Sequence, residues 1–237
     1  DENIYLKANL NYENSNATYT GLTQYSFDNN PKFNPKKDDN FKVFRTAIDL
    51  ISTKRINANL SKSTSAFISF FDRRWWREND IFILASDMGN PAPAAQPYYS
   101  VNTLVRTGNG TDNFGILRTF YVLGAEQTYS FNRTPFGLGS LLNTSSSMEV
   151  GARIYFERFI DDKQAGSSVD SRDGIYFIPA ASEDDDPVIV GQSHHYETTA
   201  LSSFISNKTN FSFLSISSGI RFELFEQVRI DLLDGAS

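Results

Sequence analysis

Cysteine is absent from the 237 residues, which excludes a disulfide framework, thiolate metal ligation and a cysteine nucleophile. Histidine is nearly absent too: only His194 and His195 occur, side by side, leaving little room for a zinc cluster or a serine–histidine–aspartate triad. There is no excess of positive charge. Twenty-two Lys plus Arg stand against 28 Asp plus Glu, a net −6 with the signs interspersed, so the basic face of a nucleic-acid binder is missing and no nucleic-acid partner is expected. No apolar run approaches the roughly 20 residues of a membrane helix, and the mean hydropathy is −0.37. A transmembrane β-barrel escapes that test, because its strands alternate lipid-facing with lumen-facing residues.

What is abundant suits strands and turns. Phe occurs 20 times and Tyr 11 times, against 2 Trp and 2 Met, and Ser, Thr and Asn recur throughout. Seven segments alternate with period two. In Met148 to Phe159, Met148, Val150, Ala152, Ile154 and Phe156 interleave with Glu149, Gly151, Arg153, Tyr155 and Glu157. Ser212 to Phe225 repeats the scheme with Leu214, Ile216, Ile220, Phe222 and Leu224 against Ser215, Ser217, Gly219, Arg221 and Glu223. Phe41 to Thr53 and Leu117 to Phe131 alternate adequately. Asn3 to Glu13, Lys62 to Arg73 and Tyr196 to Asn207 are strand-like without a clear assignment of faces. Turns near Arg55–Asn59 and Asn207–Asn210 are short, the link from Asn132 to Ser147 is intermediate, and polar links near 15–40, 77–114 and 160–193 are long. Short and long connections alternate, so a meander sends every long link to one rim and every short turn to the other. Bacterial outer-membrane barrels have that asymmetry, whereas a compact soluble domain rarely holds three such loops. The expected fold is all-β: an antiparallel up-and-down meander of about seven long strands, part of a larger transmembrane β-barrel.

Several stretches resemble a known family. They are Ser15-Asn16-Ala17-Thr18-Tyr19-Thr20-Gly21-Leu22-Thr23 with Asn30-Pro31-Lys32-Phe33-Asn34-Pro35; Phe71-Asp72-Arg73-Arg74-Trp75-Trp76-Arg77; Glu149 to Glu157; and Ser218 to Glu223. These resemble the TonB-dependent outer-membrane receptors, and within them the ferric-citrate and siderophore receptor group. The resemblance implies a barrel of about 22 strands whose lumen is filled by an N-terminal plug. It also implies uptake of a ferric chelate such as ferric citrate, energised by the TonB–ExbB–ExbD complex through that plug, and a wall in contact with outer-membrane lipid. Residues 1–237 read as one partial barrel domain, an interior piece of a longer polypeptide without the plug. No cofactor is expected, iron arriving only within the chelate, and the implied role is receptor and not enzyme.

The candidate ligand residues are Arg73, Arg74, Trp75, Trp76 and Arg77, because guanidinium forks match the carboxylates of an anionic chelate in charge and geometry. Period two puts Arg73, Trp75 and Arg77 on one face and Arg74 and Trp76 on the other. The competing reading is an interfacial girdle of aromatic and basic residues. Arg106, expected in the second long link, and Arg118 add charge near the same mouth, with Arg118 and Glu126 read as members of a salt-bridge ladder together with Arg153, Glu157, Arg221 and Glu223. His194 and His195 point to opposite faces if they lie in a strand, so they cannot share one ion. Glu183 to Pro187, with Asp161 and Asp162, lacks the glycine-punctuated spacing of a calcium loop and reads as solvated charge. Two rival functions remain: a surface β-sandwich binding carbohydrate on Trp75, Trp76, Tyr98 and Tyr99, and a glycosidase drawing its acid pair from Glu149, Glu157 and Asp72.

Overall fold

The computed structural model describes residues 2–18, 20–97, 102–132, 145–180, 182, 187–211 and 213–233. Tyr98, Tyr99 and Glu183–Asp186 lie outside the described residues, as does most of the intermediate link. Seven strands form one antiparallel sheet in chain order: β1 (Glu2–Ser15), β2 (Asn40–Asn57), β3 (Leu60–Leu84), β4 (Leu104–Phe131), β5 (Ser145–Ala165), β8 (Gln192–Asn210) and β9 (Ser215–Asp231). The expected meander of seven long strands is therefore present. Between β5 and β8 sits a small hairpin, β6 (Phe177–Ile178) with β7 (Val188–Ile189). The only α-helix among the described residues is the six-residue α1 (Gln24–Asn29).

Period two becomes two continuous faces once the register is set. One row of directly opposed residues runs Leu6, Leu50, Ala66, Ala125, Ile154, Leu201 and Leu224. On the other face a neighbouring row runs Asn9, Ala47, Ser69, Val122, Glu157, Thr198 and Gln227. The apolar face has no protein cover: Ile4, Leu6 and Leu10 are 69%, 71% and 71% exposed. A soluble monomer rarely leaves so large a contiguous apolar surface in water. At the end nearer the long links, Tyr12, Phe44, Phe70, Tyr121 and Phe156 edge this band, with Phe70 5.1 Å from Tyr121 and 6.0 Å from Phe44 between ring centroids.

The connections sort by length as expected, with different bounds. The link between β2 and β3 is only Ala58–Asn59, and that between β8 and β9 spans 211–214, since β8 continues through Asn207 to Asn210. The long links are 16–39, 85–103 and 166–191. The second is much shorter than 77–114 because β3 and β4 continue as a two-stranded ribbon beyond the rest of the sheet. Glu78-Asn79-Asp80 and Gly108-Asn109-Gly110 break the alternation there, and a bulge between Glu78 and Asp80 absorbs the irregularity. The first link folds against this ribbon: Thr23 caps α1 by accepting from Ser26 N at 3.2 Å and donates its hydroxyl to Leu104 O at 2.6 Å. The small apolar core lies around this ribbon, at Trp76, Ile83, Leu104 and Val105.

Two glycines explain how bulky rings fit on the polar face. Phe67 lies over Gly124 and Phe204 over Gly151, where a Cβ would stand 2.5 Å and 2.4 Å from the rings. At Gly124 the Ile154 carbonyl is also only 2.7 Å away. Gly124→Ala is therefore expected to lower the stability of the intact protein by about 1–3 kcal/mol, read as a lower urea midpoint. An unchanged midpoint would mean that Phe67 swings clear without cost.

Candidate functional site

One row of the polar face near the long-link rim is rich in charge. Val43, Arg73, Arg118, Asp161, His194 and Asp231 lie directly opposite one another from β2 to β9. Arg118 Nε donates to Asp161 Oδ1 at 2.7 Å, and Gln192 donates to Asp161 Oδ2 at 3.2 Å. His194 Nε2 lies 2.9 Å from Asp231 Oδ2, with Arg229 3.1 Å from the same nitrogen. Arg73 and Arg118 are adjacent cations, and the Arg73 Nε is buried with no hydrogen-bond partner among the described residues. Such a placement is unfavourable unless an acceptor arrives.

One row toward the short turns, four rings form a ladder across β3, β4, β5 and β8. Phe71–Phe120, Phe120–Phe159 and Phe159–Tyr196 have centroid separations of 5.7, 4.2 and 5.5 Å, and the last two contacts are stacked. Phe120, Phe159 and Tyr196 therefore turn their faces to each other, while Phe71 is tilted by 49° at the end of the ladder. The Arg118 guanidinium rests 6.0 Å from the Phe159 centroid. One row the other way, Trp75 donates Nε1–H to Ala17 O at 3.3 Å, Arg77 lies 5.0 Å over its ring, and Lys163 lies 5.4 Å over Phe114.

Above these rows a buried ionic cluster fastens the first link to the β3–β4 ribbon. Lys36 Nζ, fully buried, is 2.6 Å from Asp80 Oδ1, 3.6 Å from the equally buried Asp39 and 3.1 Å from Glu78 O. Asp39 in turn accepts from Glu78 N at 2.9 Å, and Arg106 is 3.5 Å from Asp80. Burial pushes the Glu78 carboxyl above its ordinary range, against a hydrogen bond from the Gly110 backbone.

Among solved structures, the chain is similar to the ferric citrate transporter FecA in its unliganded form, with a TM-score of 0.65 and 15% identity. The fold is that of a β-barrel segment. The match covers 98% of this chain and 28% of FecA, so the chain spans under a third of that protein's length. No family model and no curated protein matches the sequence.

In barrel terms the candidate residues separate cleanly. Arg73, Trp75, Arg77, Arg118 and His194 share the polar face, whereas Arg74, Trp76 and His195 lie on the apolar side, with Arg74 bound to Asp72 at 3.0 Å and Trp76 packed against Gly115. The faces expected from period two hold throughout the Phe71–Arg77 run. Arg106 lies in β4 opposite Phe82, not in a loop, because the ribbon extends through that position. Arg118 pairs with Asp161 and not Glu126, which sits eight residues along the same strand while Asp161 is directly across. The expected ladder among Arg153, Glu157, Arg221 and Glu223 is local instead: Arg221 binds Glu223 of its own strand at 2.5 Å, and Glu157 accepts from Tyr155. Asp161 and Asp162, expected as solvated loop charge, instead lie in β5, where Asp161 accepts from Arg118 and Asp162 from Ser193; Phe159, Tyr196 and Lys36 were not singled out in the sequence, since only the cross-strand register brings them to the site. Asp72 occupies the face opposite Glu149 and Glu157, and those two lie eight residues apart, about 26 Å along a strand. That is far beyond the roughly 5–9.5 Å of a glycosidase acid pair. No second sheet packs on the seven-stranded one among the described residues, so a sandwich reading has no support.

Proposed function

We propose that the chain is part of the wall of an outer-membrane receptor that takes up an anionic ferric chelate, ferric citrate or another siderophore, energised by TonB–ExbB–ExbD through a plug domain. In this reading the apolar face meets outer-membrane lipid, the polar face lines the lumen, and the three long links face outward. The observation that carries it is the Arg73–Arg118 row above the ring ladder. A carboxylate-rich chelate supplies the acceptors that Arg73 lacks, while the stacked rings hold the arginine row on a stiff wall. The likeness to a ferric citrate transporter supports the same reading at the level of fold.

Titration of the full-length receptor with ferric citrate at fixed salt tests it. Arg73→Ala is expected to weaken binding by about 1.5–3 kcal/mol, roughly 10- to 150-fold. Arg118→Ala should cost less, because Asp161 already occupies part of its fork. Arg74→Ala, on the opposite face, should bind like the unaltered receptor. If Arg73→Ala folds and binds normally, the row is structural and the chelate sits elsewhere.

A further inference from the structure

From β1 to β5 the apolar face is almost free of charge between its aromatic edge and the short turns. Among the described residues, the charged side chains on that stretch are Glu2, Lys54 and Lys62. Register sets all three in one row, directly opposite one another on β1, β2 and β3, with Tyr129 next in line on β4 and Val150 on β5. The depth of this row is fixed by the strands themselves. Lys62 lies eight residues along β3 from Phe70, about 26 Å, and Lys54 ten residues along β2 from Phe44, about 33 Å. At the roughly 35–45° tilt of membrane barrels these lengths cross about 19–27 Å, which brackets the roughly 25 Å height of an apolar band. The row therefore stands at the interface opposite to the one edged by Phe44 and Phe70.

Two lysines set directly opposite one another repel unless counter-charge is supplied. Glu2 supplies one charge: its carboxylate is 3.5 Å from Lys54 Nζ and accepts from the Ser52 hydroxyl at 2.9 Å. Lys62 makes no ion pair or hydrogen bond among the described residues. Beside it on the adjacent strands are Lys54 and Tyr129, and no carboxylate. Thr64 and Gln127, one step into the band, are bonded to each other at 2.7 Å. The row thus holds two cations against one acid, and the flexible stems let both ammonium groups reach outward along the apolar surface.

We infer that Lys54 and Lys62 hold the phosphate of an anionic phospholipid, such as phosphatidylglycerol, on the short-turn side of the membrane. Phosphate supplies the acceptors that Lys62 lacks, in charge-assisted hydrogen bonds. A zwitterionic headgroup brings its own cation to a row already in positive excess, so the net negative lipid is the one selected. The inference rests on the apolar face meeting lipid, as proposed above, and on no role of the rim row in binding a chelate.

The test places the full-length receptor in phosphatidylcholine vesicles, with a fluorophore on an Ile4→Cys variant. Ile4 is exposed on the same face, two residues along β1 from Glu2. Brominated phosphatidylglycerol and brominated phosphatidylcholine are then compared as quenchers. In the otherwise unaltered receptor, half-maximal quenching should need about fivefold less of the anionic lipid, the equivalent of one uncompensated lysine. Lys62→Gln should remove most of that preference and Lys62→Arg should keep it. Lys7→Gln, on the polar face, should leave it whole. Equal quenching by the two lipids, or a preference that survives both Lys62→Gln and Lys54→Gln, overturns the site and leaves the lysines as unselective anchors. Quenching by neither lipid brings down the lipid-facing reading of the sheet together with the site. Should Lys62→Gln fail to insert, salt decides: at about 1 M, where charges are screened beyond about 3 Å, the preference of the unaltered receptor should vanish, and its persistence would refute the site.

Discussion

In the proposed receptor, Leu123→Arg is expected to destabilise the bilayer-inserted protein by about 1–3 kcal/mol, while Val122→Arg, one residue away, should assemble normally. Leu123 stands on the apolar face, one step in from Tyr121 at its aromatic edge and between Ile68 and Phe156 in its row, and is half exposed with no protein over it. An arginine there faces hydrocarbon with no acceptor directly beside it on either adjacent strand. Val122 points to the other face, where its direct neighbours are Ser69 and Glu157. Arginine at that position gains a carboxylate on the adjacent strand. Urea unfolding from vesicles, with the yield of folded receptor in cells, would measure both variants. Equal tolerance would mean that the apolar face is covered by protein and not by lipid.

A comparable loss, confined to the long-link rim, is expected for Lys36→Met. This side chain is fully buried and stands between two carboxylates, so its removal leaves Asp39 buried without its counter-charge. Breaking a buried pair from one side costs about 3–5 kcal/mol. The rest of the seven-stranded sheet does not depend on that contact, so the loss should appear as opening of the first link. A direct reporter is the Gly108 amide, which donates to Pro35 O at 3.0 Å. Its hydrogen-exchange protection should fall by roughly two powers of ten or more. Adding Asp39→Asn to Lys36→Met should recover part of it by removing the stranded charge. Unchanged protection in the single variant would make Lys36 a bystander.

The parts of the fold legible in the sequence are those where the two faces of one strand differ sharply in polarity. Met148 to Phe159 reads without ambiguity, since Ile154 and Phe156 sit in the apolar face while Arg153 and Glu157 sit in the polar one. Lys62 to Arg73 does not, because Phe67 and Phe71 are apolar side chains on the polar face. Phe67 is there to cover Gly124, and Phe71 to start the ring ladder; both reasons lie on neighbouring strands. Beyond the apolar band the alternating environment ends, which is why Glu78-Asn79-Asp80 reads as loop yet belongs to β3. The candidate site shows the same division. The splitting of Arg73 from Arg74 and of His194 from His195 follows from period two alone. The partners Asp161 and Asp231 follow only from register.

The aromatic edge of the apolar band also fixes a slope. From Tyr12 on β1 the register leads straight across to Ile160 on β5, yet the edge on β5 is Phe156, four residues short. Four residues are about 13 Å and four strand spacings about 19 Å, which inclines the strands by about 35° to the membrane normal, within the range of such barrels. Rows perpendicular to the strands are then not level with the bilayer. The row from Arg73 to Asp231 crosses four spacings and climbs by about 11 Å, so in the proposed receptor this part of the rim is a spiral ramp. On the proposed reading, an anion entering from the long-link side would meet His194 and Asp231 first and Arg73 last, descending sideways along the wall.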